Sequence, residues 1–103
     1  MLNVRVQDDL KTYLHTHHHD TISLRVRHND YTTGNINTLT PKIRFKDPTH
    51  KDRFDVYEVD GITVYVEKEI EAESDTLEFV DEHVMGIHRC HVKGIRLDSA
   101  EIS

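Results

Sequence analysis

Cysteine occurs once among the 103 residues, as Cys90. A lone thiol excludes an intramolecular disulfide and any multi-cysteine metal site within one chain, and it fits a reducing compartment. Only four glycines and two prolines occur, so no Gly/Pro/Ser linker divides the chain and one domain over residues 1–103 is expected. No Gly-rich phosphate loop, Gly-x-Ser-x-Gly or His-Glu-x-x-His is present, and no enzymatic activity is expected. No apolar run is long enough to cross a bilayer, and Met1 to Val6 lacks the apolar core of a signal peptide, so the expectation is a cytoplasmic protein with no membrane partner. Basic residues are also short, 13 against 19 acidic ones, and the resulting charge of −6 argues against nucleic acid as a partner.

What the chain does have is alternation. Leu2, Val4 and Val6, then Ile22, Leu24 and Val26, then Ile43 and Phe45 each alternate with polar residues, as strands with one buried face do. From Phe54 to Val66 two β-branched and aromatic runs flank a bare Asp60-Gly61 pair, a strong local hairpin signal. A two-residue loop there sets Val59 opposite Ile62 and Tyr57 opposite Val64. Phe54, Val56 and Tyr65 make the second face partly apolar too, so both strands are expected to be central and covered on both sides. Leu77 with Phe79, Ile87 to Val92, and Gly94 to Leu97 predict further strands. Lys68 to Asp75 reads as a solvated acidic connection containing at most a helical turn. One helix is predicted from Gln7 to about His17, with Leu10, Tyr13 and Leu14 inward and Asp8 and Asp9 supplying capping oxygens. The fold class is mainly β (α+β).

Chemistry concentrates in nine histidines. Four crowd into His15-Thr16-His17-His18-His19. Were the helix to run to Asp20, His15 and His19 would share a face at i, i+4, a spacing that chelates Zn or Ni. The plainer reading is imidazoles bonding the last carbonyls of the helix. In His88-Arg89-Cys90, strand alternation puts His88 and Cys90 on one face. Cys90 is then either a core thiol or, with His28 at the end of its own strand, part of an imidazole–thiolate metal pocket or an activated thiol. Arg5, Arg25, Arg27, Lys42, Arg44 and Lys46 all take the polar side of their strands and form a cationic face if those strands are neighbours. Glu67 to Glu82 is acidic, and such a split suits an acidic protein partner or self-association.

The order strand, short amphipathic helix, strand, loop, strand, the Val59-Asp60-Gly61-Ile62-Thr63-Val64-Tyr65-Val66 hairpin and further strands resembles the HesB-like or IscA-type domain of iron–sulfur biogenesis proteins. It looks closest to the HesB-like branch with a Cys-Cys or Cys-selenocysteine motif. The resemblance implies a two-layer mixed β-sheet or pseudo-barrel of about seven strands with one N-terminal helix. It also places the first family cysteine in the loop His28-Asn29-Asp30-Tyr31-Thr32-Thr33-Gly34, and a Cys-Gly-Cys near the C-terminus, where this chain reads Leu97-Asp98-Ser99-Ala100. Neither motif is present, and a cluster needs several thiolates. The expectation is a non-catalytic HesB-like binding or scaffold domain with no iron–sulfur cluster, whose ligand-binding loop comprises His28, Asp30, Tyr31, Thr32, Thr33 and Gly34. The alternatives are transition-metal binding (Zn, Ni or Fe) through His15, His19, His28, His88 and Cys90, and a redox role for Cys90.

Overall fold

The computed structural model describes residues 2–28 and 39–96. The chain runs β1 (Asn3–Val6), α1 (Asp8–Thr16), β2 (Thr21–His28), β3 (Leu39–Arg44), a 3-10 turn (Lys51–Arg53), β4 (Phe54–Val59), β5 (Ile62–Glu67), β6 (Glu71–Ala72), a second 3-10 turn (Glu73–Asp75), β7 (Thr76–Val84), β8 (Ile87–Lys93) and β9 (Ile95–Arg96). The class is mainly β with one α-helix. Among the described residues the strands form three sheets, ordered β3-β2-β5-β4, β1-β7-β8 and β6-β9, and none closes into a barrel.

The larger sheet is mixed, with β2 parallel to β5 and antiparallel to β3. The Asp60-Gly61 hairpin forms in the expected register, Val59 opposite Ile62 and Tyr57 opposite Val64. Asp60 and Gly61 both have positive φ, 50° and 84°, which gives the local twist that a two-residue loop between right-twisted strands needs. Ile22, Leu24, Ile62, Val64 and Val66 from this sheet meet Val6, Leu77, Phe79 and Val92 from the β1-β7-β8 sheet, and Leu10 and Leu14 of α1 complete the shared core.

Three expectations are corrected. The hairpin strands are not both central: β4 is an edge strand and Val56 is 54% exposed. Phe54 and Tyr65 are nonetheless buried, edge to face, because the segment 47–53 passes over them and brings Lys51 Nζ to 5.9 Å from the Tyr65 ring. Asp8 and Asp9 lie inside the first helical turn rather than capping it. Gln7 holds the N-cap position without a side-chain cap. Its backbone N–H donates to the Phe79 carbonyl at 2.8 Å and its side-chain Oε1 accepts from the Asp81 backbone N–H at 2.9 Å, fastening the helix start to β7. Lastly, Lys68 to Asp75 contains the two-residue strand β6 as well as a turn, because Ala72 is buried and pairs opposite Ile95.

The helix stops at Thr16. His18 adopts φ +60°, its N–H donates to the His15 carbonyl, and the His19 N–H donates to the Leu14 carbonyl at 2.8 Å. These are the two bonds of a Schellman cap, here with histidine at the left-handed position that glycine usually takes.

Candidate metal centre

β7 and β8 form an antiparallel hairpin whose tip is Met85-Gly86, with φ values of 53° and 80°. A two-residue tip makes Val84 and Ile87 the flanking pair, so His83 stands opposite His88 and, two residues further on, Asp81 stands opposite Cys90. Alternation places all four on the face that, deeper in the sheet, carries Phe79 and Val92. One sheet face therefore passes from hydrocarbon to imidazole and carboxylate as it leaves the core.

Here the side chains converge. His83 Nε2 lies 2.8 Å from His88 Nε2 and 2.9 Å from His88 Nδ1, and the two rings are nearly perpendicular with centroids 3.8 Å apart. His88 Nδ1 is 2.9 Å from Asp81 Oδ2. The Asp81 side chain is only 5% exposed, against 41% for His88. Donating Nδ1–H to that carboxylate sets the tautomer in which His88 Nε2 carries the lone pair, turned toward His83 Nε2. The Tyr13 ring stacks on His88 at 5.1 Å and 25°, limiting its rotation. One donor atom each from Asp81, His83 and His88 lies within 4.8 Å of the others. Bonds of about 2.0–2.2 Å to one tetrahedral cation set its donors roughly 3.4 Å apart, so small side-chain shifts bring these three to one ion.

Cys90 sits beside this group but is not one of its three members. Burial, and secondarily the nearby Asp81 carboxylate, push its thiol up to about 12. It is held as a thiol at neutral pH, the form that neither ligates a metal nor attacks an electrophile well.

The remaining sites named from sequence scatter. His15 and His18 are exposed. His17 Nδ1 lies 3.0 Å from the Tyr13 carbonyl, the helix-end bond expected for an imidazole there. His19 packs against Phe45 with centroids 5.3 Å apart. Because the helix ends at Thr16, between the two, His15 and His19 do not share a helical face. His28 ends β2 opposite Leu39. Its side chain, together with Asp30, Tyr31, Thr32, Thr33 and Gly34, lies outside the described residues. The structure thus adds His83 and Asp81 to His88. The sequence does carry their signal: histidines five apart around a glycine, His83-Val84-Met85-Gly86-Ile87-His88, are opposite one another if the middle pair turns.

No curated protein and no solved structure matches the chain. The CC/Se motif containing family matches over residues 2–95. With its single cysteine, this chain has no Cys-Cys pair. As the match runs through every strand described above, from β1 into β9, the chain belongs to the CC/Se motif containing family.

Proposed function

We propose that this protein is a non-catalytic, HesB-like member of its family that has given up cluster chemistry and binds a single divalent transition-metal ion through His83 and His88, with Asp81 orienting His88 and contributing negative charge. The observation that carries this reading is the convergence of two imidazole nitrogens to 2.8 Å above a carboxylate that is almost fully buried. Imidazole donors suit Zn, Ni, Cu and Fe(II), whereas calcium and magnesium prefer oxygen. Two protein nitrogens leave coordination positions open for water or for a group brought by a partner. One half-buried, protonated thiol is too little to hold an iron–sulfur cluster. The same protonation weighs against a redox role for Cys90.

The test is calorimetric titration of the purified chain with Zn(II), repeated on His83→Ala, His88→Ala and a variant with His15, His17, His18 and His19 replaced by alanine. One ion per chain at micromolar affinity, lost in the first two variants and kept in the third, is the expected result. Affinity no better than millimolar, or loss confined to the third variant, overturns the proposal. Anaerobic purification with analysis for iron and acid-labile sulfide tests the cluster, and stoichiometric sulfide refutes its absence.

A further inference from the structure

The face of the β3-β2-β5-β4 sheet turned away from the core carries a second constellation, independent of the histidine pair. Register sets Ser23 opposite Arg44, and Arg25 opposite Lys42, on adjacent strands. Arg25 and Lys42 are like charges at directly paired positions, an arrangement that costs stability by itself. Over this face folds the segment 47–53, and between the two lies a cavity of about 100 Å³. Its floor includes Ser23 and Phe54, 3% and 7% exposed, and its walls carry Arg25, Arg44, Lys46 and Arg53.

The carboxylates in the walls are already engaged. Glu67 receives Arg27 Nη1 at 3.0 Å and the Val26 N–H at 3.2 Å, and Asp47 receives Lys51 Nζ at 3.1 Å. Among the described residues, no acidic side chain lies within ion-pair distance of Arg25, Arg44, Lys46 or Arg53. The cavity lining holds five Lys or Arg and two Asp or Glu, a surplus of three positive charges, in a chain whose formal charge is −6. The buried Ser23 hydroxyl spends its proton on a long 3.5 Å bond to the Arg44 carbonyl. A concave, cation-lined recess with a hydroxyl in its floor is built to hold an anion. Arginine forks match the paired oxygens of a phosphoryl group, and its two negative charges neutralise more of the surplus than one carboxylate would.

We infer that this recess binds the phosphoryl group of a small molecule. The volume admits a tetrahedral oxyanion, and the recess is open to solvent, so an attached body can extend out of it.

Chemical-shift perturbation and thermal melting are followed during titration with inorganic phosphate, phenyl phosphate and citrate, each against sodium chloride at matched ionic strength. The variants are Arg25→Gln, Arg44→Gln and, at more exposed walls, Lys46→Gln and Arg53→Gln. Lys42→Gln, outside the recess, is the control. Saturable binding of phosphate, with shifts mapping to Ser23 and Arg44 and weakened about tenfold by each wall substitution but not by Lys42→Gln, is expected. Tighter binding of phenyl phosphate than of inorganic phosphate identifies a phosphomonoester as the occupant, and the reverse identifies free phosphate. A non-saturating response equal to that of chloride, equal weakening by Lys42→Gln, or tighter binding of citrate than of either phosphate overturns the inference. Should Arg25→Gln or Arg44→Gln fail to fold, Lys46→Gln and Arg53→Gln decide it.

Discussion

His83 and His88 stand opposite each other one pair in from the tip of the β7–β8 hairpin, and Nδ1 of the His88 ring is anchored to Asp81. That order gives Asp81 a positioning role separable from bulk. Asp81→Asn keeps the shape but offers an amide where a charged acceptor stood, so it should lower zinc affinity about 10- to 100-fold, the usual cost of losing a carboxylate behind a ligating histidine. Calorimetry checks this, and the His88 ring resonances should broaden as the ring is released. Unchanged affinity would mean that the carboxylate serves only packing.

The Asp60-Gly61 hairpin was legible because both turn residues favour positive φ and the alternation on either side agrees with the turn. The Met85-Gly86 tip was not, since methionine rarely takes φ near 53° and nothing before it signals a turn. With that tip hidden, His83 could not be matched to His88, although His88 and its shared face with Cys90 could be. The end of α1 was legible to within a residue, expected at about His17 and observed at Thr16, although histidine in place of glycine at the left-handed cap position gives no sharp stop signal. The cationic rows on β2 and β3 were readable as a face. Their closure into a recess depends on the segment 47–53 folding over Phe54 and Tyr65, a tertiary event with no periodic signature.

Cys90 provides a pH test. Its thiol is pushed up to about 12 in the fold from about 9 in a free chain. The native state therefore holds this proton more tightly than the unfolded state does. The stability so contributed is complete below about pH 9 and is lost as the pH rises toward 12. Cys90→Ala should flatten that alkaline decline in urea denaturation. At neutral pH the native thiol should react with a disulfide reagent far more slowly than in denaturant, and equal rates would show that the site is open.

Gly94 links β8 to β9 at φ +86°, and a β-carbon there would run into the Thr76 carbonyl oxygen at the start of β7. Backbone cannot step aside as a flexible side chain could. The Gly94 carbonyl also accepts the Glu73 N–H at 2.7 Å, so any shift breaks a bond as well. Gly94→Ala should cost about 1–3 kcal/mol from the strained conformation alone, read as a lower urea midpoint at unchanged slope. A smaller loss than at Gly61→Ala, where a β-carbon meets nothing within 4 Å, would contradict the steric argument.

His18 makes the opposite case, a position where evolution has left stability unclaimed. Its φ of +60° places a β-carbon against its own backbone, while the ring is exposed and the Schellman bonds use only main-chain atoms. Glycine adopts that conformation without the steric cost, although it gains more freedom in the unfolded chain. The two effects oppose, and the left-handed cost is the larger, so His18→Gly should stabilise the fold by about 0.5–1 kcal/mol. The measurement is the urea midpoint, with His15→Gly as the control inside the helix. There glycine should destabilise by about as much, because a helix interior penalises the freedom that the cap exploits. If both substitutions destabilise alike, the exposed His18 ring contributes something beyond the cap geometry. If His18→Gly alone stabilises while zinc affinity at His83 and His88 stays the same, the helix-end histidines are capping elements and not part of the metal centre.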